Sequence, residues 1–268
     1  FSFARKLELD RGLVFVHPFD DEEVIVGQGT IGLEIINQRK NPLDAIFVPV
    51  GGGGLLAGVA TYVSHYWPNT KIYAVEPEDA ACLKLAFEAG TPEKLDEVGL
   101  FVDGCAVSQV GAENFRLIRK VVDTVITVST DEICAAIKDI FEDTRVLAEP
   151  AGALALAGLK KFAYQEKISD SKLLAILSGA NTNFDRLRYI SERTEIGERR
   201  EAVLSVSIPE EPGSFLRFCA TLEKRNITEF NYRFNDSLTA RVFVGLSINP
   251  DNDDIGDLIS KLQVEGYE

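Results

Sequence analysis

Residues 44–60 read DAIFVPVGGGGLLAGVA. A run of strand formers ends at Val50, a small apolar segment with helical spacing begins at Leu55, and Gly51, Gly52, Gly53 and Gly54 lie between them. A glycine turn between strand and helix lets bare backbone N–H groups approach a ligand and points a helix N-terminus at it. Both features favour a phosphate. One or two glycines would serve a plain tight turn, so four argue for a bound group.

Working outward, apolar runs alternate with helical patterns: LVFVHPF (13–19), GQGTIGLEIINQ (27–38), AIFVPV (45–50), LLAGVATYVSHY (55–66) and KIYAVEP (71–77). Strand, helix, strand, helix, strand predicts an α/β fold, an open and mostly parallel sheet flanked by helices. The alternation resumes with a strand in DTVITVS (123–129). Ser129 and Glu132 then have the spacing of a capping box that starts a helix. EPAGALALAGLKKF (149–162) predicts a buried helix with Pro150 in its first turn. KLLAILSGAN (172–181) reads as an apolar strand ending in small and polar residues.

Charge density rises in DRLRYISERTEIGERRE (185–201), which reads as a solvated connection. Beyond it come EAVLSVSI, then SFLRFCATLEK with Phe215, Phe218, Cys219 and Leu222 on one helical face. ITEFNYRF and ARVFVGLSI form a hairpin about an Asn235-Asp236 turn, and DDIGDLISKLQ forms a last helix. The order β-α-β-β-α predicts a small α+β ferredoxin-like module whose final strand would begin at Gly266-Tyr267-Glu268. The expected organisation is a catalytic domain over 1–184, a linker over 185–200 and an incomplete second domain over 201–268.

Composition excludes several classes. The net charge of -14 argues against nucleic acid as a partner. No apolar run approaches the ~20 residues of a membrane span, so no membrane association is expected. No secretory signal is visible in FSFARKLELDRG, and a cytoplasmic location is expected. Cys82, Cys105, Cys134 and Cys219 are widely spaced, with only His17 and His65 to complete a metal site, so buried reduced thiols are expected and no metal. The absence of an initiator methionine suggests the middle of a longer chain.

The glycine run fits more than one template. No Gly-Lys-Ser/Thr follows, so it is not a Walker A loop. Gly52, Gly54 and Ala57 satisfy a dinucleotide fingerprint, with Glu76 where a ribose-binding acid would sit, so an NAD(P)-dependent oxidoreductase stays open. Ser178, at the end of another apolar strand, is placed where open α/β sheets carry ligand groups.

VPVGGGGL together with HPFDD (17–21), GQGTIGLE (27–34), EPAGALALAG (149–158), SGANTNFDRLRY (178–189) and IPEEPGSF (208–215) resembles the biosynthetic threonine dehydratase family. The resemblance covers essentially the whole chain. It implies a fold-type II pyridoxal phosphate enzyme, a lyase that converts L-threonine to 2-oxobutanoate and ammonia in isoleucine biosynthesis, with L-serine as a second substrate. It also implies an ACT-like regulatory domain inhibited by isoleucine and opposed by valine, and a homotetramer. Carried over by position, Gly51, Gly52, Gly53 and Gly54 grip the phosphate of pyridoxal 5′-phosphate, Leu55 opens the helix behind it, and Ser178 faces the pyridine nitrogen.

A hydroxyl can donate to a neutral ring nitrogen but cannot protonate it as a carboxylate-backed partner could. Ser178 should therefore moderate the electron sink and favour loss of a β-hydroxyl over transamination. The family's Schiff-base lysine is expected upstream of residue 1. Lys6 reads as a solvated helix residue, so this stretch alone is expected to be inactive. Glu149 reads first as a helix-capping residue and second as a site residue. A non-catalytic amino-acid sensor is a further alternative.

Overall fold

The computed structural model describes residues 2–198, 200–222, 225–234, 239–249 and 254–267. Its contacts divide the chain into two units, Phe1–Phe184 and Asp185–Glu268.

The first unit is built on a parallel sheet of order β3-β2-β1-β4, from β1 (Ala45–Pro49), β2 (Lys71–Pro77), β3 (Thr124–Val128) and β4 (Leu173–Ala175). All five residues of β1 are buried, as a strand covered on both faces requires. The period of two divides them. Ile46 and Val48 pack with Leu56, Val59, Ala60 and Val63 of α3 (Gly54–Tyr66), on the face that also receives Phe115 and Ile118 of α5 (Ala112–Ile118). Phe47 turns to the other face, where its ring meets Tyr73 at 5.1 Å and Phe162 of α7 (Pro150–Glu166) at 5.5 Å. α2 (Glu22–Gln38) covers α3, and α6 (Thr130–Thr144) covers α7.

Local signals placed several of these elements. Ser129 and Glu132 form the capping box that starts α6, and Pro150 occupies the first turn of α7, whose N-terminal half is buried from Pro150 to Ala155. Lys6 is an exposed residue of α1 (Ser2–Arg11). Two expectations need correction. LVFVHPF is not a strand: none of residues 13–19 joins a strand ladder among the described residues, and Val14 is 89% exposed. A strand pattern becomes a strand only where a neighbour accepts its backbone bonds. The apolar run of 172–177 contributes only Leu173–Ala175 to the sheet, because β4 pairs with β1 over three residues.

In the second unit, the segment read as a solvated connection carries α8 (Leu187–Gly197), with Ile190 and Thr194 buried. β5 (Glu201–Pro209), β6 (Ile227–Phe234) and β7 (Thr239–Ser247) form an antiparallel sheet of order β5-β7-β6. α9 (Ser214–Thr221) and α10 (Ile255–Val264) supply Phe218, Leu258 and Leu262 to a core with Val206, Ile208, Val242 and Val244. Phe218 and Leu222 are buried as the helical spacing predicts. Phe215 is not; it is 45% exposed and stacks on Phe230 at 4.7 Å. The Asn235-Asp236 turn lies outside the described residues. Gly266 turns the chain out of α10 at φ +86, and Tyr267 packs on Phe218. The strand expected to start there is not formed at these two residues, and Glu268 lies outside the described residues.

Candidate cofactor site

The glycine loop and Ser178 leave adjacent parallel strands at the same end. β1 pairs with β4 through Ala45↔Leu173 to Phe47↔Ala175, and Ile176 N–H continues the ladder onto the Phe47 carbonyl at 3.1 Å. Gly51–Gly54 follow β1, and Ser178 follows β4. This is the carboxyl end of an open α/β sheet, where such folds hold ligands. Loop 103–105 spans the gap between them: a Cβ built on Gly51 would lie 3.0 Å from Cys105 Cα, and one on Gly104 would lie 2.9 Å from Ala151 Cβ. Ser178 then bonds the same Ala151, its hydroxyl donating to the carbonyl at 3.3 Å. That is long for an O–H···O bond. The serine proton is weakly committed and can turn to another acceptor.

Gly53 is the N-cap of α3 at φ +93, the left-handed region that L side chains rarely adopt. No side chain caps this helix. Among the described residues, the N–H groups of Gly52, Gly53, Gly54 and Leu55 make no hydrogen bond, although Gly52, Gly53 and Gly54 are buried. Buried donors without partners are rare, and three of them followed by the half-buried Leu55 at a helix N-terminus could hold an anion. The loop tolerates no side chain: a Cβ on Gly52 would sit 2.1 Å from Phe19 Cγ.

The turn HPFDD (17–21) presses on the loop through Phe19. His17 Nδ1 accepts from Asp20 N–H at 2.8 Å, and Asp21 caps α2. The Asp20 carboxylate accepts from the N–H groups of Ala112, Glu113 and Asn114 at 3.0, 3.1 and 3.1 Å, tying the turn to α5. Asn114 Nδ2 donates to the carbonyls of Phe19 and Gly52, both at 2.9 Å. Asp20 and Asn114 stand more than ninety residues apart in the chain, so no spacing rule could have joined them.

Glu76 is wholly buried at the end of β2. Burial pushes its carboxyl up to about 7, while the N–H groups of Leu83 and Lys84, donating at 2.7 and 2.9 Å, pull it back. Both oxygens are thus engaged at the start of α4 (Cys82–Ala89), and no ribose can reach them, which removes the acid on which the dinucleotide reading rests. Glu149 is the N-cap residue of α7 but makes no side-chain cap bond; its Oε1 would lie 1.9 Å from a Cβ on Gly179. The backbones of 149–152 and 178–182 interlock, with Glu149 N–H donating to the Gly179 carbonyl at 3.1 Å and Thr182 Oγ1 to the Ala148 carbonyl at 3.1 Å. Burial pushes the Cys82 and Cys105 thiols up to about 12, so neither is a nucleophile near neutral pH.

Unpartnered glycine amides at a strand-to-helix turn, with a hydroxyl at the same sheet end, are an arrangement that could hold a phosphorylated cofactor in an α/β domain. The family described as pyridoxal-phosphate dependent enzyme matches residues 1–179, and the chain belongs to it. Its fold is that of a fold-type II enzyme, and its cofactor is pyridoxal 5′-phosphate. Residues 192–268 match the C-terminal regulatory domain of threonine dehydratase. The chain is 51% identical over 268 residues to the L-threonine dehydratase biosynthetic IlvA of Burkholderia multivorans, covering 100% of this chain and 53% of that protein. It is 52% identical to that of Escherichia coli, covering 98% of this chain and 51% of that protein. The processed form of threonine deaminase isoform 2 from Solanum lycopersicum superposes with a TM-score of 0.70 at 44% identity, over 72% of this chain and 56% of that one. The chain spans about half the length of the curated relatives it matches.

Proposed function

We propose that this chain carries the phosphate-holding and ring-contacting elements of a threonine ammonia-lyase, which converts L-threonine to 2-oxobutanoate and ammonia and accepts L-serine as a second substrate. The observation that carries the reading is the run of N–H groups from Gly52 to Leu55 at the mouth of α3 that find no partner among the described residues. Pyridoxal phosphate, when bound, supplies the electron sink for breaking bonds at the substrate α-carbon. The chain's own residues bind and orient. Gly51–Gly54 and the first turn of α3 would hold the phosphate dianion by N–H donation, with Phe19 packed on Gly52 behind the loop. Ser178 would turn its weakly held proton to the ring nitrogen as a hydrogen bond, a contact that would favour elimination of the β-hydroxyl.

The second unit is proposed as the regulatory domain, taking isoleucine as inhibitor and valine as its antagonist, within a cytoplasmic homotetramer. No described helix is long and apolar enough to cross a membrane. The test is retention on gel filtration: protein incubated with pyridoxal phosphate should carry the cofactor's absorbance through the column, and protein incubated with NADPH should emerge without it. Retention of the dinucleotide alone would overturn the reading.

A further inference from the structure

We infer that Asn114 is a positioning residue for the cofactor phosphate, acting on the Gly52–Gly53 peptide. The inference rests on reading the loop as a phosphate site. The Gly52 carbonyl accepts two hydrogen bonds, from Asn114 Nδ2 at 2.9 Å and from Gly111 N–H at 3.0 Å. In a trans peptide the C=O and the following N–H point in opposite directions. A carbonyl held against α5 therefore fixes the Gly53 N–H on the opposite side, where no described residue takes it.

The clamp is needed because both residues of this peptide are glycine. With no Cβ on either flank the intrinsic backbone barrier to turning this unit over is low, and the turned form would present a carbonyl oxygen to a dianion. Gly111 alone supplies one bond. Asn114 supplies the second, and with the same amide holds the Phe19 carbonyl, so the aromatic wall of the loop and the loop itself are fixed to one nitrogen.

The other end of the Asn114 amide is unpartnered among the described residues. Asn114 is 0% exposed, and its Oδ1 has no hydrogen-bond partner there. The reversed amide would set that oxygen against two carbonyl oxygens, so chemistry fixes the orientation observed. An unsatisfied buried acceptor calls for an explanation. Here it accompanies the two-carbonyl grip of Nδ2, which no apolar residue could make.

The experiment measures equilibrium binding of pyridoxal phosphate and of phosphate-free pyridoxal to the wild type, Asn114→Ala, Asn114→Asp and Asn114→Ser, with the ³¹P resonance of the bound cofactor as a second readout. In the wild type, pyridoxal phosphate should bind more tightly than pyridoxal. Asn114→Ala should lower that preference by about tenfold to a hundredfold, the range for one hydrogen bond to a charged group, with pyridoxal affinity unchanged and the ³¹P line shifted. Asn114→Asp, which repels both carbonyls, should lower it further. Asn114→Ser keeps one donor and should restore part of it; it also serves if the alanine variant fails to fold. Variants that keep the wild-type preference, or lose both ligands in parallel, overturn the role of Asn114. A wild type indifferent to the phosphate overturns the phosphate site itself.

Discussion

The same substitution, glycine to alanine, should have opposite signs at Gly52 and Gly27. At Gly52 the new methyl would lie 2.1 Å from Phe19 Cγ and 2.3 Å from both Cδ atoms. These are the root of the ring, not the end of a flexible chain. Phe19 cannot retreat freely, because Asn114 holds its carbonyl and its neighbour Asp20 is bonded to three N–H groups of α5. Overpacking of this kind costs ~1–3 kcal/mol, and the immobility of Phe19 places Gly52→Ala at the upper end. For a unit of this size 1 kcal/mol moves Tm by about 2–4 °C, so a drop of roughly 6–12 °C is expected. Gly27 is an exposed interior residue of α2 with nothing within 4 Å of a Cβ. There alanine should gain ~1 kcal/mol by helix propensity alone and raise Tm by about 2–4 °C. Both are read from thermal melts by circular dichroism. A Gly52→Ala protein melting with the wild type would refute the packing of HPFDD against the loop.

Ser178→Asp should replace the weak donor with a carboxylate that favours a protonated ring nitrogen; in the active enzyme, amino transfer to the cofactor should rise and 2-oxobutanoate formation fall, and unchanged elimination without new transfer counts against the role assigned to Ser178. Glu76, raised to about 7 by burial, binds its proton more readily folded than unfolded. Its contribution is therefore full below the unfolded value of 4.5 and is lost as pH rises to about 7. Urea melts across that window should show stability falling with pH by an amount on the order of 3 kcal/mol, and Glu76→Gln should flatten the slope; an equal slope in the variant contradicts it. Isoleucine should give a heat of binding in calorimetric titration and valine should compete with it. A folded sample giving no heat with either rejects the proposed effectors.

Much of the scaffold was legible because its signals are local. The glycine run, the Ser129–Glu132 box and Pro150 each fix a helix start through atoms within a few residues, and the alternation of apolar runs with helical patterns announces a parallel sheet flanked by helices. The failures share a cause as well. LVFVHPF has strand chemistry, yet strand formation depends on a distant neighbour, and none of the described residues provides one. Phe215 has helical spacing like Phe218, but the side of α9 that meets the sheet is chosen by the partner's shape. At the candidate site, that the loop and Ser178 follow strands ending on one side of the sheet was expected from the pattern of apolar runs. The grip of Asp20 and Asn114 was not, since it joins residues that only the completed fold brings together.

The most direct measurement follows the backbone amides of an isotopically labelled sample by ¹H–¹⁵N NMR during titration with pyridoxal phosphate. The Gly52, Gly53, Gly54 and Leu55 resonances should move downfield together and saturate with the cofactor, with pyridoxal leaving them in place. Saturable binding that shifts other amides while these four stay fixed would contradict the account.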